Sequence, residues 1–162
     1  MRKACSLLLA LFAVTSFLVP RAAAQTAKQP FALTLSTDSP SVKAGSDVWV
    51  KVTMTNLSNH DVNCAVWSSN GVDLNYMFDV RDGNGTAPPK KTSKHPEIEG
   101  AGSIGLCTLS PGQSTTPEDN LISRLFHMEK PGQYTVQVSR QASEDPHAGK
   151  VSSNTMNITV TP

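Results

Sequence analysis

The sequence predicts an all-β fold, an immunoglobulin-like antiparallel β-sandwich of seven to eight strands. Three observations lead there. Apolar and polar residues alternate along almost every apolar segment, which is the period of a strand with one face buried and one in water. No segment beyond the first 24 residues keeps a helical period. Turn residues, chiefly Gly, Pro, Asn and Asp, stand at most junctions between these segments.

The strands follow in order. Phe31, Leu33 and Leu35 form the first inward row, opposite Ala32, Thr34 and Ser36, and Pro40 and Gly45 mark the turn after it. Val48, Val50, Val52 and Met54 form the clearest row, with Trp49, Lys51, Thr53 and Thr55 outward. After the polar stretch Asn56–Asp61, Val62, Cys64 and Val66 share a face that points Cys64 towards the core. Leu74, Tyr76, Phe78 and Val80 make another inward row, ended by the turn Asp82-Gly83-Asn84-Gly85. Strand character resumes weakly over Ile104–Leu109 and stops at Ser110-Pro111-Gly112. Leu121–Met128 is apolar on both faces, so no inward side is assigned to it. Pro131-Gly132 then turns into Tyr134, Val136 and Val138, and Met156, Ile158 and Val160 form the last row. A Tyr entering a late strand directly after a turn fits a tyrosine corner, in which the hydroxyl bonds back to the backbone.

Residues 1–24 read as a cleavable export signal. Arg2 and Lys3 give a positive start, Cys5–Val19 is an apolar run, and Ala22 and Ala24 are small residues at the positions a signal peptidase reads. The run is too short to span a bilayer comfortably and no second one follows, so stable membrane insertion is not expected. Cleavage before Gln25 leaves residues 25–162 as one immunoglobulin-like domain. It removes Arg2, Lys3 and Arg21, which takes the 14 Lys+Arg of the whole chain to 11, against 13 Asp+Glu. A formal charge of −2 argues against a nucleic-acid partner. Export would place the domain in the periplasm or outside the cell. There, Cys64 and Cys107 are an even pair without CxxC spacing, and a structural disulfide is the expected use. Such a bridge is worth roughly 4 kcal/mol through lost freedom of the unfolded chain.

Motifs for chemistry are missing. The chain has no Gly-x-Ser-x-Gly elbow and no phosphate-cradling Gly loop with Lys, so neither catalysis nor a cofactor is expected. His60, His95, His127 and His147 never fall in a His-x-His or His-x3-His arrangement, and no metal ligand set is assigned. An accessory metal-binding protein, centred on His127, is the least favoured function class. The three Asn-x-Ser/Thr sequons begin at Asn56, Asn84 and Asn157, with Asn84 expected to be the most accessible.

The distinctive non-strand feature is a Pro/Lys-rich loop at 84–103. Lys90, Lys91, Lys94 and His95 make its first half basic, Glu97 and Glu99 make its second half acidic, and Pro88, Pro89 and Pro96 stiffen it. It reads either as a recognition loop held by a rigid sandwich or as a solvated insertion. Trp49, outward on its strand, either marks a contact face shared with Met77 or is covered by another segment.

Four stretches carry a resemblance. Val52-Thr53-Met54-Thr55-Asn56-Leu57-Ser58, then Tyr76–Gly85, then Leu109-Ser110-Pro111-Gly112-Gln113-Ser114, then Pro131-Gly132-Gln133-Tyr134-Thr135-Val136 resemble the bacterial BsuPI-type proteinase-inhibitor domain. The likeness covers roughly residues 47–140. It implies a small immunoglobulin-like sandwich and, as a second function class, inhibition of a protease through the 84–103 loop. The aromatic residues usual in that family after the Asp-x-x-Gly turn are replaced here by the Pro/Lys-rich loop, and no reactive residue carries over. The leading expectation is therefore an exported, non-catalytic module that binds a protein or cell-surface component, with Lys90, Lys91, Lys94, His95 and Trp49 as candidate contacts.

Overall fold

The computed structural model describes residues 29–69, 71–92, 102–143 and 149–162. The leader at 1–24, Lys94, His95 and His147 lie outside them. The described chain forms thirteen strand segments. In order they are β1 (Phe31–Ser36), β2 (Ser41–Lys43), β3 (Trp49–Asn56), β4 (Val62–Asn63), β5 (Val66–Ser69), β6 (Val72–Asp73) and β7 (Met77–Asp82). They continue with β8 (Ser103–Gly105), β9 (Thr108–Leu109), β10 (Glu118–Leu121), β11 (Gly132–Gln141), β12 (Lys150–Ser152) and β13 (Met156–Thr161).

Two sheets form the frame of a β-sandwich. One has the order β1-β3-β10 and is antiparallel throughout. In the other, β11 takes β7 on one edge and β12 followed by β13 on its opposite edge, and β2 joins β13 in parallel. The break between β12 and β13 keeps both partners. Ser153 N donates to Val138 O, Val138 N donates to Ser153 Oγ, and the Asn154 amide bridges Leu35 N and O on β1. One side chain thereby ties the two sheets together.

Alternation decides the core. Phe31, Leu33 and Leu35 from β1 and Val50, Val52 and Met54 from β3 meet Val136, Val138, Ile158 and Val160 from the other sheet. Each fully buried aliphatic side chain stabilises this contact by about 1.5–3 kcal/mol. Tyr134 is buried and its hydroxyl donates to Lys130 O at 2.9 Å, the geometry of a tyrosine corner.

Several elements differ from the pattern reading. Leu74 is 53% exposed, because Leu74 and Asn75 form the turn before β7 and only Tyr76, Phe78 and Val80 keep an inward or partly inward row. The stretch Leu121–Met128 ends β10 and enters a short 3-10 turn at Ile122–Arg124, so both of its apolar faces find cover, with Leu121, Ile122, Phe126 and Met128 buried. Asn56 starts a sequon but is fully buried. Its amide donates to His60 O and Leu109 O, which leaves no access for glycosylation.

Candidate functional site

A clamped ladder stands at one end of the sandwich. Val62 pairs with Leu109 and Asn63 with Thr108, and further along Val66 pairs with Gly105, Trp67 with Ile104 and Ser68 with Ser103. Cys64 and Cys107 fall between these rungs in the same register. Their disulfide joins Cα atoms 4.8 Å apart, and Cys64 N also donates to Cys107 O. The bridge fixes which residues of β5 and β8 stand opposite each other, and hence that Trp67 and Ile104 stand side by side. Gly102 suits this wall, since a Cβ there would lie 3.0 Å from Ser68 O and 3.4 Å from the Trp67 indole nitrogen.

The wall borders an open groove of about 780 Å³. Its apolar lining includes Trp67, Leu74, Met77 and Ile104, of which Trp67 is 55% and Ile104 72% exposed. Polar groups surround them: His60, Asp61, Asn63, Asn75 and Arg140. An apolar surface of this kind is costly in water unless something uses it, and a concave one with a few convergent polar groups is the usual form of a binding site.

Behind the wall lies a buried polar cluster. Asp73 is only 3% exposed, and its Oδ1 accepts from Trp67 N, Asn75 N and the Asn75 amide. Asp73 N donates to the Asn120 side-chain carbonyl, and the Asn120 amide donates to Glu118 O. Burial, and then the neighbouring Asp73, push the Glu118 carboxyl up to about 7, with Arg140 opposing them. Arg140 stacks 5.6 Å above the Tyr76 ring and donates to Ala65 O, while burial holds the Tyr76 phenol well above its ordinary range. One oxygen of each carboxyl, Asp73 Oδ2 and Glu118 Oε2, is buried without a hydrogen-bond partner.

Lys90, Lys91 and Trp49, singled out from the sequence as contacts, lie outside the groove lining. Lys90 and Lys91 are exposed, but the backbone that carries them is pinned. Lys90 bridges Phe126, Lys91 N donates to Leu125 O, and His127 N donates to Pro89 O. Lys91 also pairs with Glu129 at 2.8 Å, which holds the Glu129 carboxyl below its usual range, and His127 Nδ1 lies 3.3 Å from the same carboxylate. The 84–103 segment is therefore not one patternless loop, since residues 89–91 are anchored and its end enters β8. Trp49 and Met77 do not share a face. Trp49 sits on β3 beside the turn at Gly71, whose added Cβ would lie 3.4 Å from the ring, whereas Met77 belongs to the other sheet and lines the groove. No group of three or more His, Cys, Asp or Glu among the described residues could hold a metal ion. No helix among them is long and apolar enough to cross a membrane.

The groove escaped sequence reading because its parts are distant along the chain. Asp73, Asn120, Glu118 and Arg140 carry no motif, and Asn120 and Asp73 are polar residues at positions where alternation predicts nothing unusual. The one available signal was the presence of large apolar residues at Trp67, Ile104 and Leu106 outside the strong strand rows.

No family model matches the chain, and no curated protein matches it. Among solved structures it is similar to AvmM, a protein that catalyzes macrocyclization in alchivemycin A biosynthesis, at 10% identity over 83% of this chain and 91% of that chain, with a TM-score of 0.36. A likeness of that size carries no argument about chemistry.

Proposed function

We propose that this protein is an exported, non-catalytic immunoglobulin-like module that binds a partner protein in the groove beside Trp67. The observation that carries the reading is the pairing of Trp67 with Ile104, both exposed, on a ladder locked by the Cys64–Cys107 disulfide. A rigid aromatic anchor in a preformed groove loses little entropy on binding. The occupant is an extended, uncharged segment bearing aromatic or aliphatic side chains. One cation, Arg140, and one acid, Asp61, leave the lining near neutral, which disfavours a strongly charged ligand. Among the described residues no strand pairs with the outer edge of β8, so backbone groups of an added segment could bond there. The disulfide suits an oxidising compartment, periplasmic or extracellular.

Selection from a displayed peptide library tests this. Aromatic- or aliphatic-rich peptides should bind the native protein and lose at least tenfold in affinity on Trp67→Ala, with Lys90→Ala unaffected. Peptides that depend on Lys90 and ignore Trp67 would overturn it.

A second reading, protease inhibition, is favoured by the pinned backbone around Lys90, which presents an exposed Lys on a segment anchored along one edge to residues 125–127. Incubation with trypsin-like proteases decides it. Loss of protease activity that requires Lys90 supports inhibition, and cleavage with no loss removes it.

A further inference from the structure

We propose that in the free protein the outer edge of β8 pairs with the same edge of a second copy. The contact is an antiparallel two-fold one, with Ile104 of each chain opposite Leu106 of the other. This goes beyond the groove reading, because it gives the edge an occupant of its own, which a foreign segment laid along β8 would have to displace.

The hydrogen bonds of the wall decide which way the edge faces. Trp67 uses both of its backbone groups on the β6 side: its N–H donates to Asp73 Oδ1 and its C=O accepts from Leu74 N. The Trp67–Ile104 pair is therefore a non-hydrogen-bonded one, and the N–H and C=O of Ile104 point away from β5. The flanking pairs, Val66 with Gly105 and Ser68 with Ser103, carry the bonds between the two strands. The same register runs on to Cys64, whose N–H donates to Cys107 O, so Leu106 repeats the orientation of Ile104. The N–H and C=O of both residues thus line the free edge, and no strand or turn among the described residues bonds to them. Both side chains are open to water as well, Leu106 at 92% exposure.

This edge is complementary to itself. Outward-facing residues of two antiparallel strands meet as hydrogen-bonded pairs, and setting Ile104 against Leu106 of the second copy lets each exchange both backbone groups. Gly105 then lies on the two-fold axis opposite its own copy, at the closer, non-hydrogen-bonded spacing, where the missing side chain lets the chains approach. Ile104 and Leu106 share the Trp67 face, so each packs against the other across the axis and both leave water. From Gly102 to Leu109 the chain has no Lys, Arg, His, Asp or Glu, so no charge meets its own image. β7 is the contrast. Among the described residues it too is an edge strand, paired only with β11, but it carries Asp79, Arg81 and Asp82, the usual guard against such pairing.

Sedimentation velocity on the protein with its disulfide intact tests this, from about 1 µM to about 1 mM, because so short a contact gives a weak dimer. The sedimentation coefficient should rise with concentration towards that of a dimer. Leu106→Lys should hold the protein monomeric over the same range without moving its denaturant midpoint, since that side chain is exposed. Arg81→Ala, on the guarded edge, should leave the dimer intact. Amide exchange reads the register: Ile104 and Leu106 should slow as concentration rises, while Gly105, whose N–H faces Val66, should not change. A protein that stays monomeric overturns the proposal, as does a dimer that survives Leu106→Lys or is lost in Arg81→Ala. Exchange at Ile104 and Leu106 that ignores concentration also overturns it. If those amides slow only when an aromatic or aliphatic peptide is added, the edge belongs to a foreign strand and the second copy is ruled out.

Discussion

Tyr134 and Trp67 are both aromatic residues on antiparallel ladders, yet Tyr134 is 4% exposed and Trp67 55%. Tyr134 enters β11 with the opposite sheet above it, and its hydroxyl closes a turn by bonding to Lys130 O. Trp67 stands on a ladder that leaves the sandwich through the disulfide and is braced from behind by Asp73 rather than covered from in front. The corner therefore spends its aromatic ring on stability. The clamped wall holds its ring in place without burying it, which is what a contact residue requires.

That contrast makes stability and binding separable by substitution. The largest expected effect is loss of the clamp: replacing Cys64 and Cys107 together by Ser should cost roughly 4 kcal/mol, read as a shift in the denaturant midpoint. Ile158→Ala, in the frame core, should cost about 3 kcal/mol in the same measurement, because it leaves a cavity between the sheets. Tyr134→Phe should cost about 1 kcal/mol, the net worth of one partly buried hydrogen bond. Trp67→Ala should change stability by less than about 0.5 kcal/mol while weakening peptide binding at least tenfold. A large loss of stability in that last variant would erase the distinction between the two ends.

Stability against pH carries a further effect with a definite sign. The Glu118 carboxyl titrates at about 7 in the folded protein against an ordinary value of 4.5, so the folded state holds this proton more tightly than the unfolded chain. Its contribution is complete below the ordinary value and is lost as pH rises through about 7. Because the residue is only half buried, the loss should be on the order of 1 kcal/mol. It is measurable as a fall in thermal midpoint between mildly acidic and mildly alkaline buffer, and Glu118→Gln should flatten that fall.

The frame was legible in the sequence because period-two alternation is a direct record of burial. Val48, Val50, Val52 and Met54 face inward as their spacing requires, and Pro131-Gly132 before Tyr134 marks the corner. Alternation fails where burial is not decided by sheet faces. Leu74 kept the phase of Tyr76 and Phe78 but lies in a turn, and Asn56 opened a polar stretch although it is buried and its amide satisfies the His60 and Leu109 carbonyls. Lys90 and Lys91 were visible as a basic pair, but their anchoring to residues 125–127 depends on backbone groups that every residue carries. The groove is the extreme case, since Met77, Trp67, Ile104 and Arg140 meet only through four different strands.

Binding through the wall at Trp67, as proposed, and binding through the basic segment at Lys90 predict different contacts. The most direct measurement is an NMR titration of isotope-labelled protein with a selected aromatic peptide. Saturable shifts are expected at the Trp67 indole N–H and at the Met77 and Ile104 methyls, with the Lys90 and Lys91 amides unmoved. Shifts confined to Lys90, Lys91 and Leu125, with the Trp67 signal unchanged, would contradict binding at the wall.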